Sequence, residues 1–262
     1  MAPVSASPLN TLPSLRWRGV RAEQQGIDAL IALGLAVPAL AWVDYDAPVV
    51  IYGRRGGVTA ERAARAAECR CALEARRTGG GAVMAGPWIL GFHLWLPREH
   101  PAARLSAVQS MVAFGARVAQ VLADAGVTAR MADSGDMSRV NAYVTTAGLD
   151  WNCYAGLSHG ELLDRLGRKC LGLAQARTRT GVLVSAGLLT GPTPWETLDY
   201  VHLGRATRPA PARDLVSAGV DLSNDPTRET FEQRIRARLW TWLSTLESAP
   251  EGARLPAATM EA

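Results

Sequence analysis

The sequence predicts an α+β fold. Short apolar runs typical of strands occur among segments of helical periodicity, and neither a regular βαβ alternation nor an internal repeat is present. The chain has 262 residues, of which 48% are hydrophobic and 20% charged, so it contains enough apolar material for a sizeable core.

The N-terminal part of the sequence predicts an arm, a helix and two strands. Residues 1–15 are rich in Pro, Ser and Ala, and we expect them to form an arm without structure of its own. Four apolar residues at helical spacing predict a helix over 20–36, namely Ile27, Leu30, Ile31 and Leu35. Two apolar runs separated by a polar turn predict strands at 40–45 and 49–52.

The middle of the sequence predicts two further helices and several strands. Small residues recur on one helical face over 59–75, which predicts a helix there. The apolar run ILGFHLWL at 89–96 predicts a buried strand, and helical periodicity over 101–125 predicts a long helix. We expect several short strands over 137–190.

An amphipathic helix is predicted at the end of the chain, from about residue 227 to residue 246. Its predicted inward face consists of Phe231, Ile235, Leu239, Trp242, Leu243 and Leu246. Candidate N-cap residues are Asn224, Asp225 and Thr227.

Composition excludes several classes of protein. No run reaches the roughly 18–20 apolar residues of a membrane span, and no basic segment followed by an apolar one marks a secretory signal. Four cysteines are too few for a disulfide scaffold, and a net charge of +4 alone does not indicate nucleic-acid binding. We therefore expect a cytoplasmic protein with no membrane or nucleic-acid partner.

Lys169 is distinguished by composition. It is the one lysine among the 28 basic residues. Codon bias can account for an excess of arginine, because arginine replaces surface lysine at little cost. A lysine, however, can lower its pKa when desolvated and act in proton transfer, whereas arginine stays charged. Lys169 is therefore a candidate functional residue.

A glycine-rich segment forms the first candidate site. It reads RRTGGGAV and consists of Arg76, Arg77, Thr78, Gly79, Gly80, Gly81, Ala82 and Val83. Three glycines allow a ligand to approach the backbone N–H groups, and the two arginines could hold a phosphate or a carboxylate. A glycine-rich hairpin turn would show the same pattern. The segment lacks the Lys-Ser/Thr of a phosphate-binding P-loop and the spacing of a dinucleotide fingerprint.

Lys169 lies in the second candidate segment, GRKCLGLAQ, which covers residues 167–175. The small residues Gly172 and Ala174 would let a ligand lie close to this strand. A charged residue at the end of a strand is the alternative interpretation.

Together the two segments resemble the lipoate-protein ligase and octanoyltransferase family, which shares its catalytic fold with biotin protein ligases. Family members carry an R-R-x-[ST]-G-G-G-A-V stretch over the acyl chain and a later G-[RK]-K-[IV]-x-G-x-A-Q stretch with an essential lysine. The resemblance covers about residues 28–190. It implies a mixed β-sheet flanked by helices, and substrate binding by the residues of the glycine-rich segment together with Gly172 and Ala174. We expect a catalytic domain over 16–205 and a C-terminal extension over 206–262 that ends in the amphipathic helix, packed on the same domain.

Cys153 begins a third segment, CYAGLSHGE, which resembles the C-F-x-x-x-S-x-x-E stretch of the cysteine-dependent octanoyltransferases of this family. The resemblance implies Cys153 and Lys169 as catalytic residues. A thiolate can accept an acyl group from a thioester, and an amine can then take the acyl group to form the more stable amide. A neighbouring ammonium would favour the thiolate and could move the proton of the amine. A buried, inert cysteine is the alternative.

Two positions depart from the family. Trp88 stands where a glycine is usual, and its ring could reshape the acyl tunnel. Ser185 lies in a Val-Ser-Ala-Gly stretch where Gln-His-Gly is common, so the polar role of that histidine is in doubt. Only about 57 residues follow Arg205, which leaves little room for the accessory domain of a ligase.

We therefore predict an acyltransferase that moves an octanoyl or lipoyl group from a thioester carrier through Cys153 to a lysine of a lipoyl-domain protein. The expected partners are an acyl carrier protein or lipoyl-domain donor and a lipoyl-domain acceptor, with no cofactor and no metal. One alternative is an ATP-dependent lipoate-protein ligase that binds lipoyl-AMP through Lys169 and the glycine-rich segment, with ATP and Mg²⁺. Another is a non-catalytic acyl-binding or scaffold protein.

Overall fold

A seven-stranded mixed sheet forms the centre of the structure, a computed structural model that describes residues 12–54, 56–205 and 228–248. In spatial order its strands are β1 (Ser14–Arg18), β2 (Ala39–Asp44), β6 (Ile89–Pro97), β10 (Gly181–Leu189), β9 (Lys169–Arg177), β8 (Leu162–Asp164) and β7 (Ala129–Met131). Strands β1 and β2 run parallel, and the other neighbours are antiparallel.

A smaller sheet and the helices surround the central sheet. The smaller sheet has the order β4 (Ala72–Ala75), β3 (Val49–Tyr52) and β5 (Val83–Ala85). The helices are α1 (Gly19–Leu33), α2 (Ala60–Glu68), α3 (Ala107–Asp124), α4 (Ser134–Thr146), α5 (Trp195–Leu203) and α6 (Arg228–Glu247). The predicted α+β class, with a mixed sheet flanked by helices, is confirmed.

The outer face of the central sheet carries the largest apolar cluster. Alternate residues of its strands, such as Leu90, Phe92 and Leu94 of β6, point to this face and pack against α3 and α6. All six residues predicted for the inward face of the terminal helix are buried there. The predicted N-cap residues of α6 lie outside the described residues.

The middle of the inner face of the central sheet is lined by small and polar residues, with larger apolar ones such as Ile89 and Trp95 beside them. Gly172, Gly187 and Gly91 lie in one register row across β9, β10 and β6, and Ala174, Ser185 and His93 form the next row. The smaller sheet and α1 cover this face through apolar clusters of their own. Helices α2 and α5 in turn cover the far side of the smaller sheet. Small side chains on the inner face leave space between the two sheets.

The predicted helix over 59–75 is wrong in its second half. Helix α2 ends at Glu68, and the following Arg70 has a left-handed φ of 53°. Residues Ala72–Ala75 instead form β4, which pairs in parallel with β3. Because the edge of β3 offers backbone hydrogen bonds, tertiary pairing outweighs the helical propensity of these alanines.

Two other predictions require correction. Residues at the end of the predicted arm are structured, since Leu12 is fully buried and β1 begins at Ser14. Residues 1–11 lie outside the described residues. The segment after 137 was predicted as strands, but its first residues belong to α4. A capping box between Asp133 and Asp136 fixes the start of this helix.

The helix predicted over 101–125 is interrupted near its start. Residues Pro101–Arg104 form a 3₁₀ turn, and α3 begins only at Ala107. A capping box between Ser106 and Gln109 satisfies the first backbone N–H groups of α3, which sets this boundary. Within the described residues, no helix is both long and apolar enough to cross a membrane.

The packing of α6 on the central sheet predicts a large stability cost for truncating Leu239, which is fully buried. We expect Leu239→Ala to lower the free energy of unfolding by about 2–5 kcal/mol, because it removes apolar burial and leaves a cavity. Urea denaturation of the full chain measures the change. The control is Gln233→Ala, an exposed position of the same helix, which should change stability by less than about 0.5 kcal/mol. Equal effects of the two substitutions would contradict the packing.

Candidate functional site

Cys153 lies on the turn that joins α4 to β8, and a backbone bridge holds this turn against the glycine-rich segment. The N–H of Ala82 donates to the carbonyl oxygen of Trp151 at 2.5 Å, and the N–H of Cys153 donates to the carbonyl oxygen of Ala82 at 2.9 Å. Two segments that are far apart in sequence are therefore in direct contact. The structure thus brings together the glycine-rich segment and Cys153, which the sequence analysis named as separate candidates.

The glycines of this segment allow the close approach. Gly80 has a φ of +95°, and a Cβ atom at this position would lie 3.2 Å from Cys153 Sγ and 2.8 Å from Arg76 Nη2. A Cβ at Gly81 would lie 2.2 Å from the carbonyl oxygen of Trp151. A side chain at Gly81 would collide with the backbone of the turn that carries Cys153, here called the cysteine turn. One at Gly80 would be strained by the positive φ and would crowd Arg76 and Cys153 Sγ, so an ordinary hairpin is an insufficient explanation of the pattern. Gly79, in contrast, faces open space.

Arg76 places a positive charge beside the thiol. Its Nη2 lies 3.8 Å from Cys153 Sγ and also donates to the carbonyl oxygens of Gly79 and Gly81, at 2.8 and 2.9 Å. Its Nε donates to Thr78 Oγ1 at 3.1 Å. These bonds fix the guanidinium, and a fixed cation at this place can stabilise negative charge on the sulfur during a reaction.

Lys169 is buried beneath the cysteine turn. Its Nζ donates to the carbonyl oxygens of Cys153 at 2.8 Å and Gly156 at 3.0 Å, and it forms an ion pair with Glu161 Oε1 at 2.7 Å. An ammonium has three donors, so these partners account for all of them. We expected the ammonium of Lys169 to stabilise the thiolate directly. In the structure the cation beside Sγ is the guanidinium of Arg76, whereas Lys169 binds the backbone that carries Cys153.

Glu161 completes this buried support. Its Oε2 accepts from the N–H of Ser158 at 2.8 Å, and its Oε1 accepts from the N–H of Leu173 at 3.0 Å as well as from Lys169. Burial raises the pKa of the Glu161 carboxyl, and the neighbouring ammonium opposes that rise. Glu161 was part of the cysteine motif but was not predicted as a site residue. It links the cysteine turn, through Lys169, to strand β9.

An aromatic stack supports the same turn from the other side. The ring of Trp151 stacks on His202 of α5, with ring centroids 3.9 Å apart and planes 8° apart. Burial, together with the charges of Arg62 and Arg65, lowers the pKa of His202 to about 4. The imidazole is therefore neutral near pH 7, and the stack needs no counter-ion.

Tyr154 forms a wall between the cysteine and the central sheet. Its ring lies over the glycine row of the inner face, and its hydroxyl donates to the carbonyl oxygen of Gly187 at 2.6 Å. A Cβ at Gly172 would lie 3.1 Å from this ring, so the glycine makes room for it. Burial raises the pKa of Tyr154 well above its usual value, and the phenol stays protonated.

Two cavities meet at Cys153. The first, of about 80 Å³, is mainly apolar and lies between the central sheet, the smaller sheet and α1. The second, of about 370 Å³, is more polar and lies between the glycine-rich segment and the cysteine turn. Cys153 and Ala174 line both cavities. An acyl tail and a polar carrier arm could thus reach the same sulfur from different sides.

The predicted binding residues divide between the two cavities. Those that line the first are Arg76, Arg77, Thr78, Val83, Gly172 and Ala174, and those that line the second are Gly79, Gly80, Gly81 and again Ala174. Ala82 lines neither, because it is fully buried and contributes its backbone to the bridge. Lys169 and Glu161 line the second cavity.

Arg77 fastens the glycine-rich segment to α1. Its side chain forms an ion pair with Asp28, with Nη2 donating to Oδ2 at 2.7 Å, and its N–H donates to Gln24 Oε1 at 3.1 Å. This pairing leaves Arg77 on the rim of the first cavity, where it is partly exposed. The guanidinium that the sequence predicted as an anion holder is therefore engaged by a carboxylate.

Sequence reasoning missed a polar group in the wall of the first cavity, formed by Glu23, Tyr45, His93 and Ser185. Both ring nitrogens of His93 are hydrogen-bonded within this group. The alternation of β6, which places His93 on the same face as Gly91, was the available signal.

Trp88 does not line the first cavity, and its indole N–H donates to the carbonyl oxygen of Met84 at 3.0 Å. The described part of the chain contains no cluster of three or more residues suited to bind a metal ion.

Comparisons with known proteins identify the architecture. A family model described as the lipoyl protein ligase A/B catalytic domain matches residues 34–236. A comparison with curated proteins gave no match.

Three similar solved structures share the fold. Lipoate-protein ligase A bound with ATP is 16% identical, with a TM-score of 0.62 over 89% of this chain and 86% of that one. The bi-partite lipoate protein ligase of Thermoplasma acidophilum, described with its E2 lipoyl domain, is 16% identical, with a TM-score of 0.64 over 89% and 84%. LipL1 of P. falciparum, in complex with lipoate, is 12% identical, with a TM-score of 0.57 over 92% and 65%. At these identities the likeness shows a common fold.

The buried pair of Lys169 and Glu161 predicts an unequal response to single and double substitution. Lys169→Met leaves the carboxylate without its partner, so we expect the free energy of unfolding to fall by about 3–5 kcal/mol. Adding Glu161→Gln removes the unpaired charge and should recover about 1 kcal/mol or more. Urea denaturation measures both variants.

Arg168→Met serves as the control for that comparison, because Arg168 is more exposed and pairs with Asp164 on the strand connection. It should cost less than about 1 kcal/mol. A double variant less stable than Lys169→Met would show that the pair is not the source of the effect.

Proposed function

Since the chain belongs to the family of lipoyl protein ligase A/B catalytic domains, we propose that it transfers an octanoyl or lipoyl group from a thioester carrier, through Cys153, to a lysine of a lipoyl-domain protein. Residues 16–205 would carry the reaction, because every residue used in it lies within this range. The C-terminal extension, 206–262, would brace the outer face of the central sheet through α6.

The position of Cys153 Sγ carries this proposal. The sulfur faces an apolar cavity on one side and a polar cavity on the other, with the guanidinium of Arg76 at 3.8 Å. Of the four cysteines, Cys71 and Cys170 are buried, and burial raises their pKa to about 11 and about 12. Thiols in such surroundings are inert near pH 7. Only Cys153 combines partial exposure with a cation and a path for an acyl chain.

In the first step the thiolate of Cys153 attacks the carbonyl carbon of the donor thioester. A new carbon–sulfur bond forms, the bond to the carrier sulfur breaks, and the carrier thiolate leaves and takes the proton that Cys153 gave up. One thioester replaces another, so the step is close to balanced in energy. The acyl tail would occupy the apolar cavity, where its burial contributes about 0.8 kcal/mol per methylene group.

In the second step the neutral amine of the acceptor lysine attacks the acyl carbon. The carbon–nitrogen bond forms, the bond to Sγ breaks, and the proton of the amine ends on the released sulfur. Arg76 would stabilise the negative charge that develops on the sulfur as it leaves. Lys169, whose donors are all occupied, would act as a positioning residue for the Cys153 turn, whereas the sequence analysis expected it to move the proton.

Neither step requires ATP or a metal, and this distinguishes the proposal from an ATP-dependent ligase. Lys169 is paired with Glu161 and Arg77 with Asp28, so the cation of these segments without a carboxylate partner is Arg76, and Arg76 lies beside the Cys153 thiol. A non-catalytic scaffold would not need a partly exposed thiol between two cavities. The expected acceptor follows the Thermoplasma acidophilum protein, whose structure was described with an E2 lipoyl domain. An acyl carrier protein or a second lipoyl domain would serve as the thioester donor.

A mass measurement tests the covalent step directly. We expect the intact protein, mixed with octanoyl carrier protein in the absence of ATP, to gain one octanoyl group, and Cys153→Ala to gain none. The adduct should disappear when a lipoyl domain is added, as the acyl group moves to its lysine. Cys69→Ala, which removes the other partly exposed cysteine, should behave as the wild type. Full transfer by Cys153→Ala would refute the mechanism, and acylation that depends on ATP would support the ligase.

The crowding around Gly80 gives a second test. Gly80→Val would place methyl groups against Cys153 Sγ and Arg76, at a backbone φ that valine rarely adopts. We expect single-turnover acyl transfer to fall by about 10²-fold or more, which is the scale of a misplaced reacting group.

Gly126→Val is the matched control, since Gly126 has a φ of +75° and no neighbour within 4 Å of a built Cβ. It carries the same kind of backbone strain far from the thiol, so thermal melts should show similar losses while transfer is retained. If Gly80→Val transfers at near the wild-type rate, the segment is only a turn.

A further inference from the structure

A chain of hydrogen bonds crosses the wall of the apolar cavity. Ser185 Oγ lies 2.8 Å from His93 Nδ1, and His93 Nε2 lies 3.0 Å from Glu23 Oε1. The hydroxyl of Tyr45 donates to Glu23 Oε2 at 2.8 Å. All four residues line the cavity, and Glu23, Tyr45 and His93 are each less than 10% exposed. An aliphatic tail alone would not require such a group.

One assignment of protons satisfies the whole chain. In this assignment Ser185 donates to Nδ1, Nε2–H donates to Oε1, and Tyr45 donates to Oε2. The imidazole and the phenol then have no donor left. The carboxylate, which can accept about four hydrogen bonds, and the Ser185 oxygen keep acceptor capacity. This side of the wall therefore offers acceptors to whatever fills the cavity.

Gln24 supplies an independent observation from the same wall. Its Oε1 accepts from the N–H of Arg77, but its Nε2 is buried without a hydrogen-bond partner. Gln24 lines the apolar cavity next to Glu23. A buried donor left unpaired is costly, so an acceptor on a bound molecule would gain from meeting it. The cavity thus presents both unused acceptors and an unused donor.

A ligand group that both donates and accepts matches this wall. A hydroxyl has one donor and two acceptor lone pairs, and a thiol is a weaker version of the same chemistry. A plain aliphatic chain would instead exclude water from the carboxylate and from Gln24 without replacing the lost hydrogen bonds. Sites built to hydrogen-bond a ligand group discriminate strongly against analogues that lack it, because their own polar groups are then left unpaired.

We propose that Glu23, His93, Ser185 and Gln24 form a recognition subsite for a hydroxyl or thiol on the acyl chain, so that the site prefers a functionalised medium-chain acyl group to plain octanoyl. Dihydrolipoyl and hydroxyoctanoyl groups share this chemistry. The inference deepens the proposed function, because it names the class of acyl group that the same cavity accepts.

Calorimetry with free acids tests the subsite without the transfer reaction. The probes are octanoate, 8-hydroxyoctanoate and dihydrolipoate, each titrated into the full chain. We expect at least one of the two functionalised acids to bind about tenfold more tightly than octanoate. Tighter binding of 8-hydroxyoctanoate would assign the subsite to a hydroxyl, and tighter binding of dihydrolipoate would assign it to a thiol.

Two substitutions locate the preference. Ser185→Ala and Glu23→Gln should each reduce the affinity ratio between the preferred acid and octanoate to about threefold or less. The control is Val83→Ala, on the apolar wall of the same cavity, which should weaken all three acids while keeping their ratio. Ser185→Ala is the milder change, and thermal melts show whether Glu23→Gln is folded.

The subsite is refuted if octanoate binds within threefold of both functionalised acids, if the preference survives in both variants, or if none of the acids binds at millimolar concentration. These results are independent of Cys153. A preference among the acids combined with no acyl adduct on Cys153 would retain the subsite and reject the proposed transfer. An acyl adduct on Cys153 without a preference among the acids would retain the proposed transfer and reject the subsite.

Discussion

The backbone bridge between Ala82 and the turn that carries Cys153 is the constraint on which the site depends. It brings the thiol within reach of Arg76 and favours glycine at positions 80 and 81, because a Cβ at Gly81 would collide with the cysteine turn and one at Gly80 would crowd Arg76 and Cys153 Sγ at a positive φ. The turn is fixed from below by Lys169 and Glu161 and from the side by the stack of Trp151 on His202. Such support limits the motion of the sulfur, which is what a reacting group requires.

The central sheet divides its two faces between stability and function. The outer face carries large apolar side chains that pack against α3 and α6 and form the largest apolar cluster. The inner face carries a row of glycines and a row with Ala174, Ser185 and His93, so the smaller sheet and α1 cannot close completely onto it. The space that remains is the apolar cavity. The same alternation along β6, β9 and β10 thus provides both the largest apolar cluster and the apolar cavity.

The sequence predicted the α+β class and the terminal helix, and it singled out the segments that meet at Cys153, because these features depend on periodicity and on local motifs. It failed where long-range contacts decide, as at Ala72–Ala75, whose helical propensity is outweighed by pairing with the edge of β3. The contacts of Lys169 could not be predicted for a related reason. A motif identifies the residue, but only the fold shows that two carbonyl oxygens and Glu161 occupy its three donors. The hydrogen bonds of Glu23, His93 and Ser185 join α1 to β6 and β10, so alternation along β6 gives the face of His93 but not its partners.

A crystal structure of the protein after reaction with an octanoyl thioester tests the central claim most directly. Continuous density should run from Cys153 Sγ into the cavity between Tyr154, α1 and the inner face of the central sheet, with the carbonyl beside Arg76 and Lys169 still paired with Glu161. An acyl chain in the second cavity without a bond to sulfur, or a covalent bond to any other residue, would contradict the account.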